Sequence, residues 1–162
     1  MTRTALVAAL AAALPLTAAA ADREALAEEG RALIREFAGT LKGELQAAMK
    51  AGGPTNAIAV CNIRAPEIAR EVSEASGWTV ARSSHRLRNP ANAPDAWTAA
   101  AIEDFLAREA AGETAESIAK AGIVEEDGRK VFRMARAIPT AKVCLACHGG
   151  ETVEPGKRRT GR

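Results

Sequence analysis

Cys144, Leu145, Ala146, Cys147 and His148 form a CxxCH run close to one end of the chain, and no other segment constrains the fold as tightly. This spacing is the attachment motif of c-type haem. One turn of helix brings the two thiols to the two vinyl groups of the porphyrin, and the adjacent imidazole swings under the iron as proximal ligand. A chain carrying that motif must fold the rest of itself around a flat plate some distance along the sequence. Cys144 and Cys147 are thus the expected thioether anchors, His148 the expected iron ligand, and one covalently attached haem c the expected cofactor.

Composition matters at this point. Hydrophobic residues make up 48% of the chain, but 39 of them are alanines, against two Trp, three Phe and no Tyr. Large aromatics normally supply much of a core's apolar area. A chain so poor in them either packs Ala-rich helices closely or takes apolar bulk from a bound group, and a porphyrin would supply it.

The first 21 residues read as a signal peptide. Arg3 precedes an apolar stretch from Ala5 to Leu14, then Pro15 and a small-residue run to Ala21. About ten apolar residues are too few for a membrane span, which needs roughly 20. The expectation is therefore a leader over 1–21, one domain over 22–150 and a flexible basic tail over 151–162, exported to the periplasm with no membrane insertion of the mature chain. Net charge is +2 over the whole sequence, and the tail carries most of the excess. That leaves no basic surface for nucleic acid. Lys157, Arg158 and Arg159 sit among Gly, Pro and Thr and read as a solvated terminus.

Periodicity places the elements. Leu26, Leu33, Ile34, Phe37, Leu41, Leu45 and Met49 are spaced for one amphipathic helix, ended by Ala51, Gly52, Gly53 and Pro54. Thr55 or Asn56 is the expected cap of a second helix, whose apolar stripe reads Ile58, Cys61, Ala65, Ile68 and Val72. Pro66 predicts a kink just after the cysteine, and Gly77 closes the helix. Trp78 to Ser83 reads as a strand, 88–95 as a loop with two prolines, and Trp97, Ala101, Ile102, Phe105 and Leu106 as one side of a third helix ending by Gly112. Asp127 and Gly128 signal a hairpin between Ile123, Val124 and the run from Val131 to Ala135. Helices mixed with antiparallel strands, without a βαβ rhythm, predict an α+β domain.

Two other uses of the cysteines compete. Cys144, Cys147, His148 and Cys61 form a Cys3His donor list for zinc, although the adjacent Cys147 and His148 would have to converge on one small ion. A Cys144–Cys147 disulfide would leave Cys61 over. With haem in the motif, the ligand on the other iron face is open on residue chemistry alone: Cys61, His85, Met49, Met134, a lysine or none. Arg82, Arg88 and Arg133 are candidate partners for the haem propionates, against a plain surface reading of each.

The run Ala57, Ile58, Ala59, Val60, Cys61, followed by Ala65, Pro66, Ile68 and Ala69, then by Arg82, Ser84, Arg88, Asn89, Pro90, Asn92, Pro94, Asp95 and Trp97, and finally Pro139 with Cys144 to Gly149, resembles the PAS-like periplasmic c-type haem-binding domain family, long labelled a domain of unknown function. The likeness covers nearly all of the expected mature chain. It implies a PAS-like antiparallel sheet with a long N-terminal helix and flanking helices, haem held through CxxCH, and axial ligation by His148 and Cys61. His85 inherits no role. Members commonly continue beyond CxxCH with a late strand, whereas only 14 residues follow His148 here, so the sheet is expected one strand short or the haem more exposed.

Ligation by a thiolate donates electron density to iron and favours a low potential. The function expected is electron transfer or another redox role with a separate redox or signalling protein as partner. The alternative is a stand-alone periplasmic sensor of redox state or a diatomic gas. An enzyme is not expected, because two filled axial positions leave no open iron site and no acid–base constellation accompanies the motif.

Overall fold

The computed structural model of the chain describes residues 15–148, and the expected basic tail and most of the expected leader lie outside them. The described residues form an α+β domain. A long helix α1 (Pro15–Ala59) runs into a π-helical turn (Val60–Arg64) and α2 (Ala65–Ser76); a short 3-10 turn (Pro90–Asn92) then precedes α3 (Ala96–Ala110), a hairpin of β1 (Ala119–Glu126) and β2 (Arg129–Arg136), and α4 (Lys142–His148). Among the described residues the sheet has two strands. No helix there is long and apolar enough to cross a membrane.

The first helix follows its periodicity: Phe37 is buried, and Leu26, Leu33, Ile34, Leu41, Leu45 and Met49 are all half-buried on the same side. The expected break falls at Gly52 and Gly53, where φ of Gly53 is +67°, a value that suits a residue without a Cβ. Helix geometry resumes directly at Pro54, whose fixed φ suits a first helical position. Thr55 and Asn56 therefore lie inside the resumed helix and cap nothing.

Around Pro66 the chain departs from an α-helix in a defined way. Residues Val60–Arg64 form a π turn, in which the Ala65 N–H donates to the Val60 carbonyl, five residues back. This is the kink that Pro66 predicts, since proline has no N–H to offer and crowds the carbonyl four residues before it. The extra residue also corrects the expected stripe. Ala57, Val60, Ala65, Ile68 and Val72 are the buried positions, whereas Ile58 is 60% exposed and Cys61 half-buried.

Two small apolar clusters hold the fold. Phe37, Ile68 and Val72 join α1 to α2, with Leu33, Leu41, Ala69 and Val80 packed against them. Ala101, Phe105 and Ile118 join α3 to the start of the hairpin, with Trp97, Ala135 and Ala137 at the edge. Gly77 closes α2 in the left-handed region and donates to the Ser73 carbonyl at 2.9 Å. Asp95 caps α3, its carboxylate accepting from the Thr98 N–H at 2.7 Å.

The segment Trp78 to Ser83 is extended but is not a strand. Its alternation of half-buried Trp78, Val80 and Arg82 with exposed Thr79 and Ala81 is real. Hydroxyls of α2 accept its backbone donors, however: Trp78 N–H bonds Ser76 Oγ at 3.2 Å and Val80 N–H bonds Ser73 Oγ at 2.8 Å. The segment is thus docked on a helix end, where side chains replace a sheet ladder. The hairpin itself has the expected turn. Glu126 pairs with Arg129 across Asp127 and Gly128, both at positive φ as a two-residue type I′ connection requires.

α1 meets the hairpin at Gly30. A Cβ there would stand 3.1 Å from the Met134 sulfur and 3.6 Å from the Trp78 ring, and Trp78 meets Phe132 edge to face at 6.0 Å between centroids.

Candidate functional site

α4 carries the CxxCH run on a single helical turn. Cys144 and Cys147 are half-buried and His148 is exposed. All three cysteines are free thiols, so the Cys144–Cys147 disulfide is not formed. Partial desolvation, followed by the positive charges of Arg88 and Arg82, holds the His148 pKa below the ordinary histidine value. The neutral ring, which is the form able to donate to a metal, is favoured accordingly.

The last four carbonyls of a helix have no partner within it. In α4 the Cys147 carbonyl is one of these, and the Arg88 guanidinium donates to it at 2.8 Å. Six residues earlier on the same strap, Arg82 donates to the carbonyl of Cys61. The segment between Trp78 and Arg88 therefore ties the π turn bearing Cys61 to the helix bearing the other two cysteines. Ser83 secures its middle by donating to the Asn92 carbonyl at 2.7 Å. Arg64, at the end of the π turn, reaches back to Glu44 on α1 at 2.9 Å and also pairs with Glu67, fixing the turn against both helices.

The expected site residues fare differently from one another. Arg133 is not available to an external carboxylate. Its guanidinium pairs with Asp95 at 2.6 Å and Glu126 at 2.7 Å, and it lies 4.7 Å above the Trp97 ring. Met134 packs at the contact between α1 and the hairpin, Met49 is half-buried on α1, and His85 is exposed. Among the described residues no group of three or more His, Cys, Asp or Glu side chains is gathered to hold a metal ion. Of the Cys3His donors, Cys61 lies on the π turn and Cys144, Cys147 and His148 lie on α4. A groove between α1 and the hairpin, lined by Arg23, Glu24, Ala27, Ala121, Gly122 and Phe132, contains none of the cysteines.

Large apolar side chains are exposed near the cysteines in sequence and also away from them, as at Leu106, Ile123 and Ile138. Ile58 and Ile63 flank Cys61, Leu145 stands between Cys144 and Cys147, and Leu87 precedes the arginine that holds α4. Sequence reasoning missed the backbone roles of Arg82 and Arg88. The signal for the first was in the chain: a proline five residues after Cys61.

Among known proteins, a search of the curated proteins and of the solved structures finds no match. The family model described as Tll0287-like (Tll0287) matches residues 5–161, almost the whole length. The chain belongs to the Tll0287-like family.

Proposed function

We propose that this protein is an exported periplasmic c-type haem protein, with Cys144 and Cys147 as thioether anchors and His148 and Cys61 as axial iron ligands. The observation that carries the reading is the CxxCH run on one turn of α4, with both thiols free and half-accessible. Family membership together with the resemblance described above supports a PAS-like haem-binding fold, and the α+β architecture is compatible with it. Haem bound there would supply a one-electron Fe(III)/Fe(II) couple.

The chain's own residues do the rest. The thiols of Cys144 and Cys147 fix the plate to α4, and the His148 imidazole donates from the same helix end. Cys61, carried on the π turn, donates as thiolate from another element. Arg88 holds the α4 end that carries Cys147 and His148. Exposed Leu145, Ile58 and Ile63 supply apolar contact. A thiolate favours the ferric state, so the potential is low and the role is electron transfer with a separate redox protein.

Replacing Cys61 by Ser tests the ligand set. The account expects the ferric absorption spectrum to change while haem remains covalently attached under denaturing conditions; an unchanged spectrum removes Cys61 from the iron. Exposure of the ferrous protein to CO separates the two roles. Inertness fits electron transfer, and rapid CO binding moves the reading to a gas sensor.

A further inference from the structure

In a regular helix the Cys61 carbonyl would accept from the Ala65 N–H. Here that N–H goes to Val60 instead, and the next donor along the chain is missing because residue 66 is proline. The π turn thus leaves the carbonyl of Cys61 without its backbone partner, and a half-buried carbonyl in that state is costly. Arg82, 21 residues later, donates its guanidinium to that oxygen. A charged donor on a helix carbonyl is among the stronger bonds available to a backbone.

We propose that Pro66 and Arg82 act together as positioning residues for Cys61: the proline opens the turn and frees the carbonyl, and the arginine takes it up and fixes the direction in which the thiol leaves the helix. This rests on Cys61 being an iron ligand, as proposed above. The bulge sets where the Cβ of Cys61 projects, since one extra residue per turn rotates every later position relative to the buried stripe. Without Arg82 the turn has an unpaired carbonyl and more than one way to satisfy it, and the sulfur loses its single position. Ser83 and Arg88 anchor the same strap on the Asn92 and Cys147 carbonyls, so the position of Cys61 is registered to the CxxCH helix through one short piece of chain.

The test uses the haem-loaded protein and reads the ferric spectrum and midpoint potential, with covalent haem retention and the thermal melt measured alongside. Arg82→Gln is expected to weaken the thiolate-ligated ferric bands and shift the potential, while haem stays attached. Arg82→Lys, which keeps a charged donor, is expected to recover most of both. Arg86→Gln removes the same charge from the same segment at an exposed side chain and is expected to leave the thiolate bands in place. Parent-like spectrum and potential in Arg82→Gln overturn the proposal, as does an equal loss in Arg86→Gln, which would make the effect one of charge alone. Should Arg82→Gln not accumulate in folded form, Pro66→Ala decides. It returns an N–H to the ladder, lets the bulge close and shifts the thiolate bands, and a parent-like spectrum in that variant overturns the proposal. Cys61→Ser separates the two levels. If that variant has an unchanged spectrum, the ligand assignment fails; if it changes while Arg82→Gln and Pro66→Ala do not, only the positioning role fails.

Discussion

Asp95 joins three parts of the molecule through one carboxylate. It accepts the Thr98 N–H as cap of α3 and pairs with Arg133, which in turn lies over Trp97 and reaches Glu126. The Thr98 N–H first, and then Arg133, hold its pKa down at about 2, below the ordinary 3.8. A depressed carboxylate contributes stability above its unfolded pKa and loses it as pH falls through the folded one. The window is therefore between about pH 4 and pH 2. Asp95 is half-exposed, so the ion pair itself is worth little, and the cap dominates. Asp95→Ala should lower stability at pH 7 by about 1 kcal/mol in urea titrations, and the difference from the parent should shrink toward pH 2. A difference that grows on acidification would refute this account of Asp95.

At the scale of elements, much was legible and the misses have physical causes. The first helix, the Gly52–Gly53 break, the third helix and the Asp127–Gly128 hairpin follow from apolar spacing and turn chemistry, which act over a few residues. The strand reading of Trp78 to Ser83 failed because β-branched alternation reports a half-buried extended chain and says nothing of what takes up its N–H groups. Ser73 and Ser76 do so here. The stripe of the second helix slipped because a π turn adds one residue, and Pro66 alone marks it. Arg133 and Arg82 could not be told apart as candidate partners from their neighbours in sequence; their bonds connect residues 38 and 21 positions apart. The contact of α1 with the hairpin is likewise long-range and turns on Gly30, where a side chain would meet the Met134 sulfur at 3.1 Å. Gly30→Val should push the hairpin from α1 and cost about 1–3 kcal/mol, read as a lower melting temperature. A variant as stable as the parent would mean that this contact is loose enough to absorb a branched side chain.

For the whole molecule, the scarcity of aromatics and the two small clusters around Phe37 and Phe105 describe a protein with limited apolar mass of its own. Some of its exposed large side chains, Ile58, Ile63 and Leu145, lie within three residues of a cysteine, and under the proposed function a covalently held porphyrin would cover them as well as provide the redox centre. Charge is nearly balanced, so under the proposed function partner choice would rest on shape and local charge rather than on a strong overall field. The cysteines carry the central claim, and the direct measurement is an absorption spectrum of the purified protein taken together with a haem stain after denaturing electrophoresis. The account predicts a Soret band and haem that stays with the polypeptide, lost from the Cys144→Ala, Cys147→Ala double variant. A colourless protein with no stain, or one that binds stoichiometric zinc through these cysteines, would contradict it.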